Sequence, residues 1–258
     1  MPRHIEGATV VPAPPFRLRA HGVSRLEGFS DAVFGFALTL LVVSLQPPRT
    51  FDELSDALGG LVPFAICFAL FLQIWLEHRR FFRRYALDDG WTVLLNSVLL
   101  FVVLAYVYPL KFLFTLLGWE FVGVVPAALR DLVVIRPGQL STLMYVYAAG
   151  FAAIAITFAL LYANALRQAE VLALTPLERH DTVTELLAQG VLVAVAAASA
   201  ALVAAGARVA WAGLVYCLIG PAMGLLHARR GAARRRLWDR LAAEGPVSAS
   251  RPTPAGAG

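Results

Sequence analysis

Apolar runs long enough to cross a bilayer recur along this 258-residue chain, and they dictate its architecture. A bilayer core takes about 20 apolar residues per helical span, and only helices or closed barrels satisfy every backbone polar group inside it. The runs lie at about residues 25–46, 57–78, 91–117, 140–164, 183–205 and 208–228. The chain is 59% hydrophobic and 15% charged, whereas a soluble domain carries about 25% charged residues. The expected fold class is all-α: a polytopic integral membrane protein with six transmembrane helices. Residues 1–24 read as a cytoplasmic N-terminal segment, 25–228 as the transmembrane domain, and 229–258 as a basic, then disordered, cytoplasmic tail.

The net charge of +5 does not point to nucleic acid, because the arginines flank apolar runs or sit in the tail. Arg3, Arg17, Arg19 and Arg25, then Arg79, Arg80, Arg83 and Arg84, then Arg167 and Arg179, then Arg229 to Arg240, alternate with sparsely basic segments. Those segments hold Arg49, Lys111, Arg130, Arg136 and Arg208. The positive-inside rule then places both termini in the cytoplasm. The Ala/Arg-rich composition fits a bacterial inner membrane, with membrane lipid as one partner. The arginines at 229–240 read as flanking charge or as a contact to anionic lipid. Residues 118–138 read as an outer loop with a short interfacial helix, Trp119 at the headgroup level. Cys67 and Cys217 fall in apolar runs and read as free thiols. No cleavable signal peptide is evident in residues 1–24.

The first run, RLEGFSDAVFGFALTLLVVSL (25–45), carries Arg25, Ser30, Asp31 and Thr39. A charge at the centre of a membrane helix costs about 2.5–3.5 kcal/mol even on the mildest scale, so Asp31 needs a partner. Ser24 and Glu27 have the spacing of a capping box, which starts the helix near residue 25. Asp31 then lies about 10 Å in. Trp75 and His78 near the end of the second run, and Asn96 near the start of the third, fall at similar depth. Arg25, Ser30, Asp31, Trp75, His78 and Asn96 are therefore expected to meet in one hydrogen-bonded layer. The alternative is that His78 and Arg79 only flank the membrane.

At about 100° per residue, Phe29, Ala32, Val33, Phe36, Thr39, Leu40 and Val43 share one stripe, while Asp31 points elsewhere. Such a stripe faces lipid, packs against another helix, or lines a symmetry axis.

RLEGFSD has the R-x-x-x-F-S-D pattern that opens helix one in the transmembrane protein 175 potassium channel family. FALFLQIWLEHRRFF (68–82) resembles the second helix of that family, with a tryptophan three positions before a histidine. TVLLNSVLLFVVLAYVYPLKFLF (92–114) resembles the third. The chain is thus similar to bacterial, single-repeat members over about 25–117. The resemblance implies a homotetramer whose permeant species are monovalent cations, K+ above all, and which needs no cofactor. It implies that helix one of four subunits surrounds the ion path. Phe36 falls at the position of the constricting apolar ring, where aliphatic side chains are commoner. Thr39 falls at the selecting hydroxyl, and Gly35 where some relatives have serine. Arg25, Phe29, Ser30, Asp31, Trp75, His78 and Asn96 would be the structural FSD network; Ala32, Val33, Leu40 and Val43 would lie with Phe36 and Thr39 on the pore face.

A secondary transporter of a cation or small solute is the rival class, though it favours inverted repeats and broken helices. No H-E-x-x-H, no G-x-S-x-G and no convergent carboxylate cluster point to an intramembrane enzyme. A purely structural membrane protein is the third reading. No T-V-G-Y-G run supplies a carbonyl cage for potassium.

Overall fold

A computed structural model describes residues 13–20, 22–43, 49–51, 54, 58, 61–122 and 139–243, of which 43, 62, 63, 111 and 113–122 are described by their backbone only. Among these residues every regular element is helical. We name the helices α1 (Arg25–Val43), α2 (Leu61–Tyr85), α3 (Gly90–Val122), α4 (Gln139–Arg167), α5 (Pro176–Ala204), α6 (Val209–Leu214) and α7 (Ile219–Ala243). A single 3-10 turn, Val215–Leu218, joins α6 to α7. Among the described residues, four segments are long and apolar enough to cross a membrane: Gly90–Leu110, Gln139–Arg167, Pro176–Ala204 and Val209–Ala243.

The helix starts follow from local chemistry. Ser24 Oγ accepts from Glu27 N at 3.1 Å while Glu27 Oε2 accepts from Ser24 N at 3.0 Å, so two orphan donors at the start of α1 are satisfied. Thr175 and Glu178 repeat the device at α5, with Pro176 in the first turn. Asp89 starts α3 by accepting from Trp91 N, Thr92 N and Thr92 Oγ1. The chain reverses after α5 at Gly206, whose φ of 74° suits a residue without Cβ.

α1 packs against α2 and α3, α3 against α4, and α4 and α5 form the most extensive helix pair. The close approach of α3 and α4 depends on Gly150, where a Cβ would enter the Tyr106 ring. Tyr106 then donates to the Tyr147 carbonyl at 3.0 Å. Near the end of the bundle at which α1 begins, ring contacts link Phe34, His78, Phe82, Phe81, Tyr85 and Tyr162.

Two helix ends run past the sequence expectation. Residues 118–122 extend α3 rather than opening a loop, because the apolar pattern continues past Gly118. The expected interfacial segment beyond 122 lies outside the described residues. The helix ending in α7 does not stop near residue 228 but runs to Ala243, carried by the good helix formers Ala, Arg and Leu. Cys67 is buried and Cys217 exposed, both as free thiols.

Candidate functional site

The site begins with the division of α1 into two faces. Glu27, Ser30, Phe34, Ala37 and Leu41 are buried, at alternating steps of three and four residues. That spacing is the seam of a helix packed on one side. Away from it, Phe29 is 61% and Phe36 58% exposed. Ala32, Gly35 and Thr39 are exposed on the same side, while Val33 and Leu40 at its margins are half-buried. Val43 is the last residue of α1, and its side chain lies outside the description. Thr39 Oγ1 donates back to the Gly35 carbonyl at 2.9 Å. Its hydroxyl proton is thereby used within the helix, and its lone pairs remain on the open face. A Cβ at Gly35 would meet nothing within 4 Å, so the backbone there is open too.

The polar groups predicted to form one layer form two separate assemblies. The buried one joins three helices. His78 Nε2 lies 2.8 Å from Asn96 Oδ1; the amide oxygen only accepts, so Nε2 carries the proton. Asn96 Nδ2 donates to Ser30 Oγ at 2.9 Å, and Ser30 Oγ donates to the Leu26 carbonyl at 2.8 Å. Ser30 and Asn96 have no exposed surface. No ion pair joins its members, and every bond is directional. This chain fixes the rotation of α1 against α2 and α3.

The second assembly is exposed. Trp75 Nε1 donates to Asp31 Oδ1 at 2.7 Å, and the Arg79 guanidinium lies 5.5 Å from the centre of the Trp75 ring. Asp31 is exposed and is not part of the buried chain. The reason is geometric: residues 30 and 31 are about 100° apart on a helix, so both cannot enter one seam. Arg25 is exposed at the first position of α1 and makes no ion pair among the described residues. Phe29 lies on the open stripe and not in the network. Among the described residues no cluster of potential metal ligands occurs.

A third group of polar contacts was not anticipated from the sequence. Residues 13–20 run across the ends of α2 and α5. Arg19 pairs with Glu178 at 2.8 Å, the two side chains being 11% and 6% exposed, and Arg19 also donates to the Leu172 and Arg84 carbonyls. The backbone amides of Arg19 and Ala20 donate to the Arg83 carbonyl. Arg84 pairs with Glu185 at 2.9 Å, Tyr85 meets Thr182 at 2.7 Å, and Tyr162 donates to Glu77 at 2.6 Å. Arg234 of α7 holds Asp181 and reaches the Pro14 carbonyl. One signal for this rim was present in the sequence: Thr175 and Glu178 have the same capping-box spacing as Ser24 and Glu27.

Comparison with known proteins places the chain by family and fold. The family model for the endosomal/lysosomal potassium channel TMEM175 matches residues 25–106, the stretch that holds the FSD segment, Trp75, His78 and Asn96. A potassium channel of Marivirga tractuosa is 42% identical over 180 residues, 68% of this chain and 72% of that protein. A crystal structure of a variant of the potassium channel MtTMEM175, bound to a nanobody–MBP fusion, is 35% identical with a TM-score of 0.75; the match covers 86% of this chain and all of that one. A lysosomal potassium-selective channel TMEM175 homolog from Chamaesiphon minutus is 26% identical with a TM-score of 0.52, over 80% of this chain and 96% of that one. The class is therefore a helical membrane protein of the ion-channel kind and not an enzyme. Within that class, the chain belongs to the TMEM175 potassium channel family.

Proposed function

We propose that this chain conducts potassium as a homotetramer in which α1 of each copy borders the ion path. The observation that carries the reading is the composition of the open face of α1. Between the exposed rings of Phe29 and Phe36, Ala32, Gly35 and Thr39 are small or polar, with Asp31 beside them, and all are exposed. Small and polar residues on a membrane helix mark contacts with protein or water, whereas a lipid face favours large aliphatic groups. The similarity to proteins named as potassium channels supports the same reading.

In this arrangement Phe36 supplies the narrowest ring and Thr39, one turn away, supplies the hydroxyl oxygens that meet a partly dehydrated cation. Selection then rests on constriction size and apolar dewetting, since no carbonyl filter is present in the sequence. The buried Ser30–Asn96–His78 chain is scaffolding that sets which side of α1 looks inward. Arg25, Asp31 and Trp75 act at the mouth and do not coordinate the ion. Six spans place both termini in the cytoplasm of a bacterial inner membrane, with lipid around the tetramer and no cofactor.

The test is liposome reconstitution with a potassium gradient, together with the mass of the purified assembly. The expected mass is four chains of 27.9 kDa. Phe36→Ala should raise potassium flux severalfold. Thr39→Val keeps the shape, removes the hydroxyl, and should lower potassium preference over sodium. A monomer, or unaltered flux and reversal potential in both variants, removes α1 from the path.

A further inference from the structure

The helix that ends in α7 carries two sets of arginines with different tasks. Arg230 donates to Thr184 Oγ1 at 3.0 Å and to the His180 carbonyl at 3.0 Å. Arg234 lies one turn further on and holds Asp181 at 2.9 Å. These two fix the rotation of α7 against α5. Arg229, Arg235, Arg236 and Arg240 are exposed.

The exposed set is not randomly placed. Within α7, at about 100° per residue, Leu225, Arg229, Arg236 and Arg240 fall in a stripe within about 60° of one another, and Trp211, Leu214 and Leu218 precede them across α6 and the 3-10 turn. All four apolar members are at least half exposed. The exposed surface therefore changes from apolar to basic between α6 and the end of α7. The position of the change matches membrane dimensions. From Trp211, a hydrocarbon core of about 30 Å at about 1.5 Å per residue ends near residue 231. Arg229 falls at that level and Arg236 about 10 Å further out, within reach of long side chains and about one Debye length. Arg234 Nη2 bonds the Pro14 carbonyl at 2.8 Å, so this is the same side on which α1 begins. Asp239 is turned about 60° from the stripe and leaves its charge basic.

We propose that Arg229 and Arg236 form a docking face for anionic phospholipid headgroups, held outward by the inward grip of Arg230 and Arg234. Charge complementarity and depth select the occupant. The phosphodiester and its net negative charge are held by two guanidinium groups, and the acyl chains lie along Leu225 and Leu218. Arg240, further from the surface, contributes less.

The experiment is native mass spectrometry of the full-length chain in detergent, titrated with phosphatidylglycerol or with phosphatidylcholine. The unaltered chain should retain phosphatidylglycerol in preference. R229Q/R236Q should lower that preference about tenfold or more, since each basic group at a membrane surface contributes about fivefold. R229K/R236K should largely restore it. R235Q removes the same unit charge from another face and should leave it unchanged. Equal retention of both lipids by the unaltered chain overturns the proposal. So does a loss of about fivefold in R235Q, the share of one basic group, which would mean that charge count alone matters. A preference that survives in R229Q/R236Q also overturns it and leaves the face to solvent or an acidic protein segment.

Discussion

The buried Ser30–Asn96–His78 chain and the rim around Glu178 both tie helices together, yet they are built from different chemistry. The first uses a hydroxyl, an amide and an imidazole, with no ion pair between its members. The second uses Arg19 with Glu178, Arg84 with Glu185, and Arg234 with Asp181. The difference is one of depth. Inside the bundle a neutral group costs less to desolvate than an ion, and a fully bonded neutral chain leaves nothing unpaired. At the rim, water and carbonyls complete the solvation of ions, so charged pairs become usable over long sequence separations. Asp31 is the intermediate case: a carboxylate at network depth that stays exposed and takes a single indole donor.

The largest effect should come from the rim. Glu178 accepts from the Arg19 side chain, the Arg17 amide and the Thr175 amide. Glu178→Ala leaves the largely buried Arg19 guanidinium with carbonyl acceptors but no counter-charge and should cost about 3 kcal/mol. Thermal unfolding of the purified chain in detergent measures it. Glu178→Gln retains an acceptor and should lie between the two. An unchanged midpoint for Glu178→Ala would break the comparison, since the charged contacts would then be ornamental.

The next effect should come from the neutral chain. Asn96→Leu removes both amide bonds and leaves His78 and Ser30 each short of a partner. Bonds between membrane helices are worth about 0.6 kcal/mol on average and rarely above 1.7, so the loss should be about 1–2 kcal/mol. Its signature is a shift in assembly as well as stability, because the rotation of α1 is no longer fixed. A loss larger than that of Glu178→Ala would reverse the ranking of the two regions.

The two regions also differ in how far they could be read from the sequence. Ser30, Trp75, His78 and Asn96 were placed at one depth because helical rise fixes depth and the three helices are consecutive. Their division into two assemblies is not what equal depth predicts: depth ignores the rotation that keeps adjacent residues such as Ser30 and Asp31 from sharing a seam. The long apolar runs gave the helices and most of their starts. The rim was not legible in that way. Arg19 and Glu178 are 159 residues apart, and Tyr162 and Glu77 are 85 apart. No periodicity links such pairs; they meet only because residues 13–20, α2, α4 and α5 come together in space. The inward turn of Arg230 and Arg234, which composition reads as flanking charge, also depends on that packing. The open face of α1 is read only from exposure in the folded chain.

The smallest effect tests the point where the two regions join. Asp89, between α2 and α3, accepts from Thr92 Oγ1 at 2.6 Å, Gln168 Nε2 at 3.0 Å and Asn164 Nδ2 at 3.2 Å. Partial burial opposes its charge, but the hydrogen bonds from Thr92, Gln168 and Asn164 outweigh that and hold its pKa below the ordinary aspartate value. A depressed carboxylate stabilises the fold fully above its unfolded pKa of about 3.9. That contribution fades as pH falls from there through the folded value. The unfolding midpoint should therefore be flat in this group's contribution from neutral pH down to about 4 and then decline. Asp89→Asn retains a carbonyl acceptor without a titrating proton, so the Asp89 share of that acid decline should vanish. If Asp89→Asn leaves the acid limb of the stability profile unchanged, the α2–α3 connection is held by its neutral neighbours alone. The boundary between charged rim and neutral interior would then lie one turn further out.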